Sequence, residues 1–128
     1  MTEKSFIFFE QLAHEQIAHM NTEETVIFPY IKSLYENHKE LENAKFGSLR
    51  SPVSIMEMEH ENTEGLLNHI CSLTNNFKPQ ESDSSLVGSF LKDMELLQRD
   101  IELHVYKEDN ILYPKAIQWE TEYYQERT

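Results

Sequence analysis

Two stretches of the 128-residue chain carry the same potential chemistry: HMNTEETVIFP, residues 19 to 29, and HVYKEDNILYP, residues 104 to 114. In each, a glutamate follows a histidine by four residues and a proline follows the glutamate by six; Glu24/Asp109, Val26/Ile111, Ile27/Leu112 and Phe28/Tyr113 are similar pairs. On a helix a four-residue step turns about 40° net and rises about 6 Å, so the histidine and glutamate stand one above the other on one face. Such a pair can bind one metal ion together, or the glutamate can bridge two. The proline lacks the amide that would bond the carbonyl four residues back, at Thr25 or Asn110, which predicts a kink just after each pair. With His60, the residues His19, Glu23, His104 and Glu108 make a set of three imidazoles and two carboxylates without a thiolate. That donor set suits iron, with manganese or zinc as alternatives, rather than copper thiolate or cluster chemistry.

Three long helical patterns must position these residues. The first spans about Ser5 to Glu40 and ends in ELENAKFGSLRSP, where Gly47 and Pro52 act as breakers. The second starts near Ser51, with Pro52 as first helical residue and Ser54 to Glu57 matching a capping box, and stops by Phe77, where FKPQESDSS is turn chemistry. The third runs from about Ser84 past Trp119. Each carries a seam of three- and four-residue steps. The first reads Phe9, Leu12, Gln16, His19, Glu23, Val26, Tyr30; the second Val53, Met56, His60, Thr63, Leu67, Ile70, Thr74, Phe77; the third Leu86, Phe90, Met94, Leu97, Ile101, His104, Glu108, Ile111. All three are apolar toward their ends and polar in the middle. Carboxylates inside a bundle cost several kcal/mol or more unless compensated, so Glu23 and Glu108 call for a cation.

The bulk numbers agree with one helical domain over residues 1–128. Glycines number three and prolines four, too few for a strand-rich sandwich, so the fold class is all-α. A formal charge of −12 with no basic stripe disfavours nucleic acid. The single cysteine excludes a disulfide framework, and no segment is apolar for long enough to be a signal peptide or a membrane span. The expected setting is therefore the cytoplasm. A lone buried histidine is ordinarily a hydrogen-bonded core residue; the duplicated motif and the third inward histidine argue for ligands instead. His14, His38 and His69 lie off the seams and are expected at the surface. Glu59 and Glu61, on either side of His60, are placed to orient a ligand imidazole, and Glu64, four residues after His60, could add a carboxylate.

HMNTEETVIFP, SPVSIMEMEHENTEG (51 to 65) and HVYKEDNILYP together resemble the hemerythrin-like domain of the iron–sulfur cluster repair proteins, the repair-of-iron-centres or ScdA-type family. The resemblance covers nearly the whole chain. It implies an up-and-down four-helix bundle around a non-haem di-iron centre, with Glu23 and Glu108 as bridges and His19, His60 and His104 as terminal ligands. It further implies repair of clusters damaged by nitric oxide or peroxide, through iron supply, with iron–sulfur proteins as partners and O2 or NO as small ligands. Against that pattern the chain is expected to begin at the second bundle helix, without the small cysteine domain. Three helices of an incomplete bundle would then expose an apolar groove, from which self-association is expected. Two other readings stand beside this one: an oxygen-binding or iron-sensing module without catalysis, and a truncated domain with one metal or none. Whether the chain turns over a substrate is left open.

Overall fold

A computed structural model describes residues 1–36 and 47–126, and the described residues are helical with no strand. Helix α1 is Glu3–Thr22, followed without a break by a π-turn, π1, Glu23–Ile27, and by α2, Phe28–Glu36. Helix α3 is Arg50–Leu73. Helix α4, Ser85–Lys107, continues through a second π-turn, π2, Glu108–Leu112, into α5, Tyr113–Glu126. The three long helical runs are those expected from the seams. The end of the first pattern beyond Glu36, the loop up to Phe46 and His38 lie outside the described residues.

The expected break at each proline is a π-turn. The amide of Phe28 donates to the carbonyl of Glu23, five residues back, and that of Tyr113 donates to Glu108 in the same way. A proline in a regular helix clashes with the carbonyl four residues before it, and one extra residue in the turn moves that carbonyl aside. The insertion also shifts the buried stripe by one residue. Past Glu23 the stripe runs through Ile27, Tyr30, Ile31 and Leu34, while Val26, assigned to the seam from sequence, is 43% exposed. Past Glu108 it runs through Tyr113 and Ala116, while Ile111 is 59% exposed. On α4 itself the buried residue is Leu91, which the expected seam does not include; of the seam, Phe90, Met94 and Ile101 are half-buried, and Leu86, Leu97 and His104 are exposed. The α3 seam has no π-turn, and all eight of its expected residues are buried.

The start of α3 also departs from expectation. Ser54 and Glu57 lie within the helix rather than at its cap. The first amides are instead held by Ser48, whose Oγ accepts from the Arg50 amide at 3.2 Å, and by Glu120, whose carboxylate accepts from the Leu49 amide at 2.9 and 3.1 Å. At the other end Asn75, Asn76 and Phe77 have positive φ, and the Asn76 amide closes back on the Cys71 carbonyl at 2.8 Å. This left-handed exit suits asparagine and ends the helix before the proline-containing turn.

The chain forms two compact units, Met1–Ile17 with His60–Val105, and Ala18–Glu59 with Tyr106–Thr128. The first has a core of Phe9, Leu12, Leu66, Leu67, Ile70, Phe77 and Leu91, with Phe9 edge-on to Phe90 at 5.0 Å. In the second, Ile27, Tyr30, Ile31, Leu34, Leu49, Val53, Met56, Tyr113, Ala116 and Tyr123 form the core. The buried Glu120 carboxylate pins this second core: besides the Leu49 amide it accepts from the Tyr30 hydroxyl and from Ser48 Oγ at 3.0 Å. No described helix is long and apolar enough to cross a membrane.

Candidate metal centre

Within the second unit the end of α1, the two π-turns and α3 bring together the residues singled out by the repeat. His19, Glu23 and Glu108 each offer a ligand atom, and these atoms lie within 4.8 Å of one another. Both glutamates are the first residues of their π-turns, where the helix changes register to turn the following side chains inward. Such turns are frequent at functional sites, and here the prolines at 29 and 114 fix where they fall.

His19 and Glu23 are buried, with Nε2 of His19 3.1 Å from Oε1 of Glu23. The other ring nitrogen, Nδ1, lies 2.8 Å from Oε1 of Glu59. This carboxylate–imidazole contact fixes the ring and leaves Nε2 for the centre of the site, the arrangement that orients histidine ligands in metal proteins. Opposite His19, the Tyr113 hydroxyl donates to Oε2 of Glu23 at 2.5 Å. A continuous chain thus runs Glu59, His19, Glu23, Tyr113.

The electrostatics follow from this chain. Burial pushes His19 down, but hydrogen bonds and charge from Glu23 and Glu59 outweigh it and raise the imidazole to about 9. Burial pushes Glu23 up, but its hydrogen bonds with His19, Glu108 and Tyr113 and the charge on His19 hold it at about 2. Burial, with the carboxylate it donates to, raises Tyr113 well above the usual phenol range, so it remains a donor. The centre is therefore a negatively charged pocket whose positive charge is a proton on His19. A divalent ion would supply that charge in the proton's place, and imidazole nitrogen with carboxylate oxygens is a donor set that fits iron, manganese or zinc.

Other residues named from sequence are placed as follows. His60 is buried and directly follows Glu59 on α3. His104 is exposed on α4, and Glu64 is exposed on α3, between the buried Thr63 and Leu66. His14 and His69 are exposed, the latter edge-on to Phe8 at 4.6 Å. Of the two acids flanking His60, Glu59 does orient an imidazole, but that of His19; Glu61 is exposed. Sequence reasoning passed over the Tyr113 hydroxyl and Glu120. The signal for Tyr113 was available: it is the polar member of the Phe28/Tyr113 pair in an otherwise matched repeat.

The hemerythrin HHE cation binding domain matches residues 3–116. The chain belongs to the hemerythrin family. It is 30% identical over 107 residues to the iron-sulfur cluster repair protein YtfE of Escherichia coli O81, covering 83% of this chain and 44% of that protein. The iron-sulfur cluster repair protein YtfE of Cronobacter sakazakii is 30% identical over 115 residues, covering 89% of this chain and 48% of that protein. The chain thus spans about half the length of the curated relatives it matches. Membership of this family implies a metal site, and the His and Glu residues just described are positioned for one.

Proposed function

We propose that the chain is a non-haem di-iron protein that serves in the repair of iron–sulfur clusters damaged by nitric oxide or oxidants, as a holder and donor of iron, in the cytoplasm. The observation that carries this reading is the convergence of His19, Glu23 and Glu108, from the two copies of one motif, in a hemerythrin-family chain. The proposed ligands are His19, Glu23, His60 and Glu108. His60 is supported by its buried imidazole and its place beside Glu59 on α3. For His104, exposed here, the support is the repeat alone, and its imidazole would have to turn inward to join Glu108.

Bound iron would alternate between ferrous and ferric states and offer open positions to O2 or NO. The protein's part is to hold it. Glu59 keeps the His19 ring turned, Tyr113 keeps Glu23 turned, and the low proton affinity of Glu23 keeps a carboxylate ready at neutral pH. A site that binds through exchangeable carboxylates rather than thiolates suits release of iron to an acceptor. The recipients in this reading are iron–sulfur proteins. Exposed apolar residues along the third helical run, including Leu97, Leu103 and Ile111, support self-association as part of the proposal.

The test is reconstitution. Anaerobically loaded protein is incubated with a [4Fe–4S] enzyme inactivated by nitric oxide, and recovery of cluster absorption is followed. Recovery with the loaded parent, and none with Glu23→Ala or with metal-free protein, is expected. Equal recovery with free ferrous ion at the same concentration would remove the donor role.

A further inference from the structure

The two halves of the repeat match at the histidine, glutamate and proline but differ at one chemically important position: Tyr113 corresponds to Phe28. Tyr113 is fully buried and makes two contacts at once. Its backbone amide donates to the Glu108 carbonyl and closes the second π-turn, while its hydroxyl donates to Oε2 of Glu23 at 2.5 Å. One residue is thereby tied to both repeat glutamates, to one through its backbone and to the other through its side chain. The π-turn makes this possible, because the extra residue leaves Ile111 outside and turns residue 113 into the core.

On the reading of the site as a metal centre, we infer that Tyr113 is a positioning residue that makes the two glutamates inequivalent as ligands. Its hydroxyl occupies one lone pair of Glu23 Oε2 and so fixes the carboxylate plane, leaving Oε1, the oxygen facing His19 Nε2, and the other lone pair of Oε2 for metal. The opposite half has phenylalanine at position 28, so the repeat supplies no matching hydroxyl there. Hydrogen bonds to a ligating carboxylate set both its orientation and its donor strength, and their removal commonly weakens metal affinity about 10- to 100-fold. An internally repeated sequence thus yields an asymmetric site, in which one half of the repeat supplies a tyrosine hydroxyl to the glutamate of the other and the matching position is phenylalanine.

The experiment measures Co(II) uptake by competition with a chelator, together with the visible ligand-field bands of bound Co(II), for the parent, Tyr113→Phe and Tyr106→Phe. Tyr106 is exposed and serves as the control. A Tyr113→Phe protein that retains parental helicity, binds Co(II) about tenfold more weakly and shows shifted bands is expected, with Tyr106→Phe unchanged. Global replacement of tyrosine by 3-fluorotyrosine in the parent and in Tyr113→Phe gives a second measurement that keeps the ring in place: fluorination should shift the bands only where residue 113 is a tyrosine. Parental affinity and bands in Tyr113→Phe, or a fluorination shift that persists in that variant, would overturn the inference while leaving the metal site standing. A parent that takes up no Co(II) would overturn the metal reading and the inference with it.

Discussion

On the proposed reading, a metal that binds His19 must displace the proton that supplies the positive charge of the metal-free centre. With the imidazole raised to about 9 by Glu23 and Glu59, almost every His19 is protonated at pH 7. Two units of pH separate that state from the half-deprotonated ring, so proton displacement weakens the apparent affinity about a hundredfold, or roughly 3 kcal/mol. Glu23, held at about 2, contributes no such competition near neutrality. The apparent dissociation constant for Mn(II) or Zn(II) should therefore fall about tenfold per pH unit from pH 7 until it levels near pH 9, on account of His19. Isothermal titration calorimetry in buffers of different ionisation enthalpy reads the proton directly, and the His19 proton should be released for each metal bound there. In Glu59→Gln, which loses one of the two carboxylates that raise His19, the plateau should begin at lower pH. An affinity independent of pH between 7 and 9, with no proton released, would refute the reasoning.

Further outcomes follow from the same contacts. For the metal-free protein, the Glu23 contribution to stability is complete above its unfolded value near 4.5 and is lost as pH falls toward about 2, while that of His19 is complete below 6.5 and is lost as pH rises through about 9. Urea denaturation should thus give a stability plateau between about pH 4.5 and 6.5, with the alkaline decline removed in His19→Ala. Replacing Glu120 by alanine leaves the Leu49 amide and the Tyr30 hydroxyl without their buried acceptor, and a loss of about 2 to 4 kcal/mol is expected by the same denaturation. The register shift at π1 predicts that Val26→Ala changes stability by less than about 0.5 kcal/mol, whereas Ile27→Ala costs about 2 to 4 kcal/mol; the reverse order would place a regular helix there.

What could be read in the sequence was the part governed by regular periodicity. The α3 seam was legible from Val53 to Phe77 because an unbroken helix keeps its three- and four-residue steps, and the buried Phe77 stays on the stripe even though the helix ends at Leu73. Of the flanking seams the first was legible as far as Glu23, whereas on the third Leu86, Leu97 and His104 are exposed even before Glu108. Beyond Glu23 and Glu108 the π-turn adds a residue, which exchanges Val26 for Ile27 and moves the buried stripe past Ile111 to Tyr113. The prolines marked where regular geometry fails, but a missing amide does not by itself distinguish a kink from an inserted residue. The true cap of α3 could not be found locally, since Glu120 lies 71 residues from the Leu49 amide it accepts. In the candidate site, His19, Glu23 and Glu108 were visible as a repeated pattern. The pairing of Glu59 with His19 was not, because neighbours across helices leave no spacing signal within either one.

The central claim is the proposal that His19, Glu23 and Glu108 hold a metal, with His60 as a further proposed ligand. It is tested most directly by the iron content of anaerobically loaded, desalted protein, compared with Glu23→Ala, Glu108→Ala and His60→Ala variants whose helicity is first checked by circular dichroism. About two iron ions per chain in the parent, and loss of at least one in each variant, is the predicted result for a site of this type. Iron that fails to survive desalting in the parent, or an unchanged content in the three variants, would contradict it.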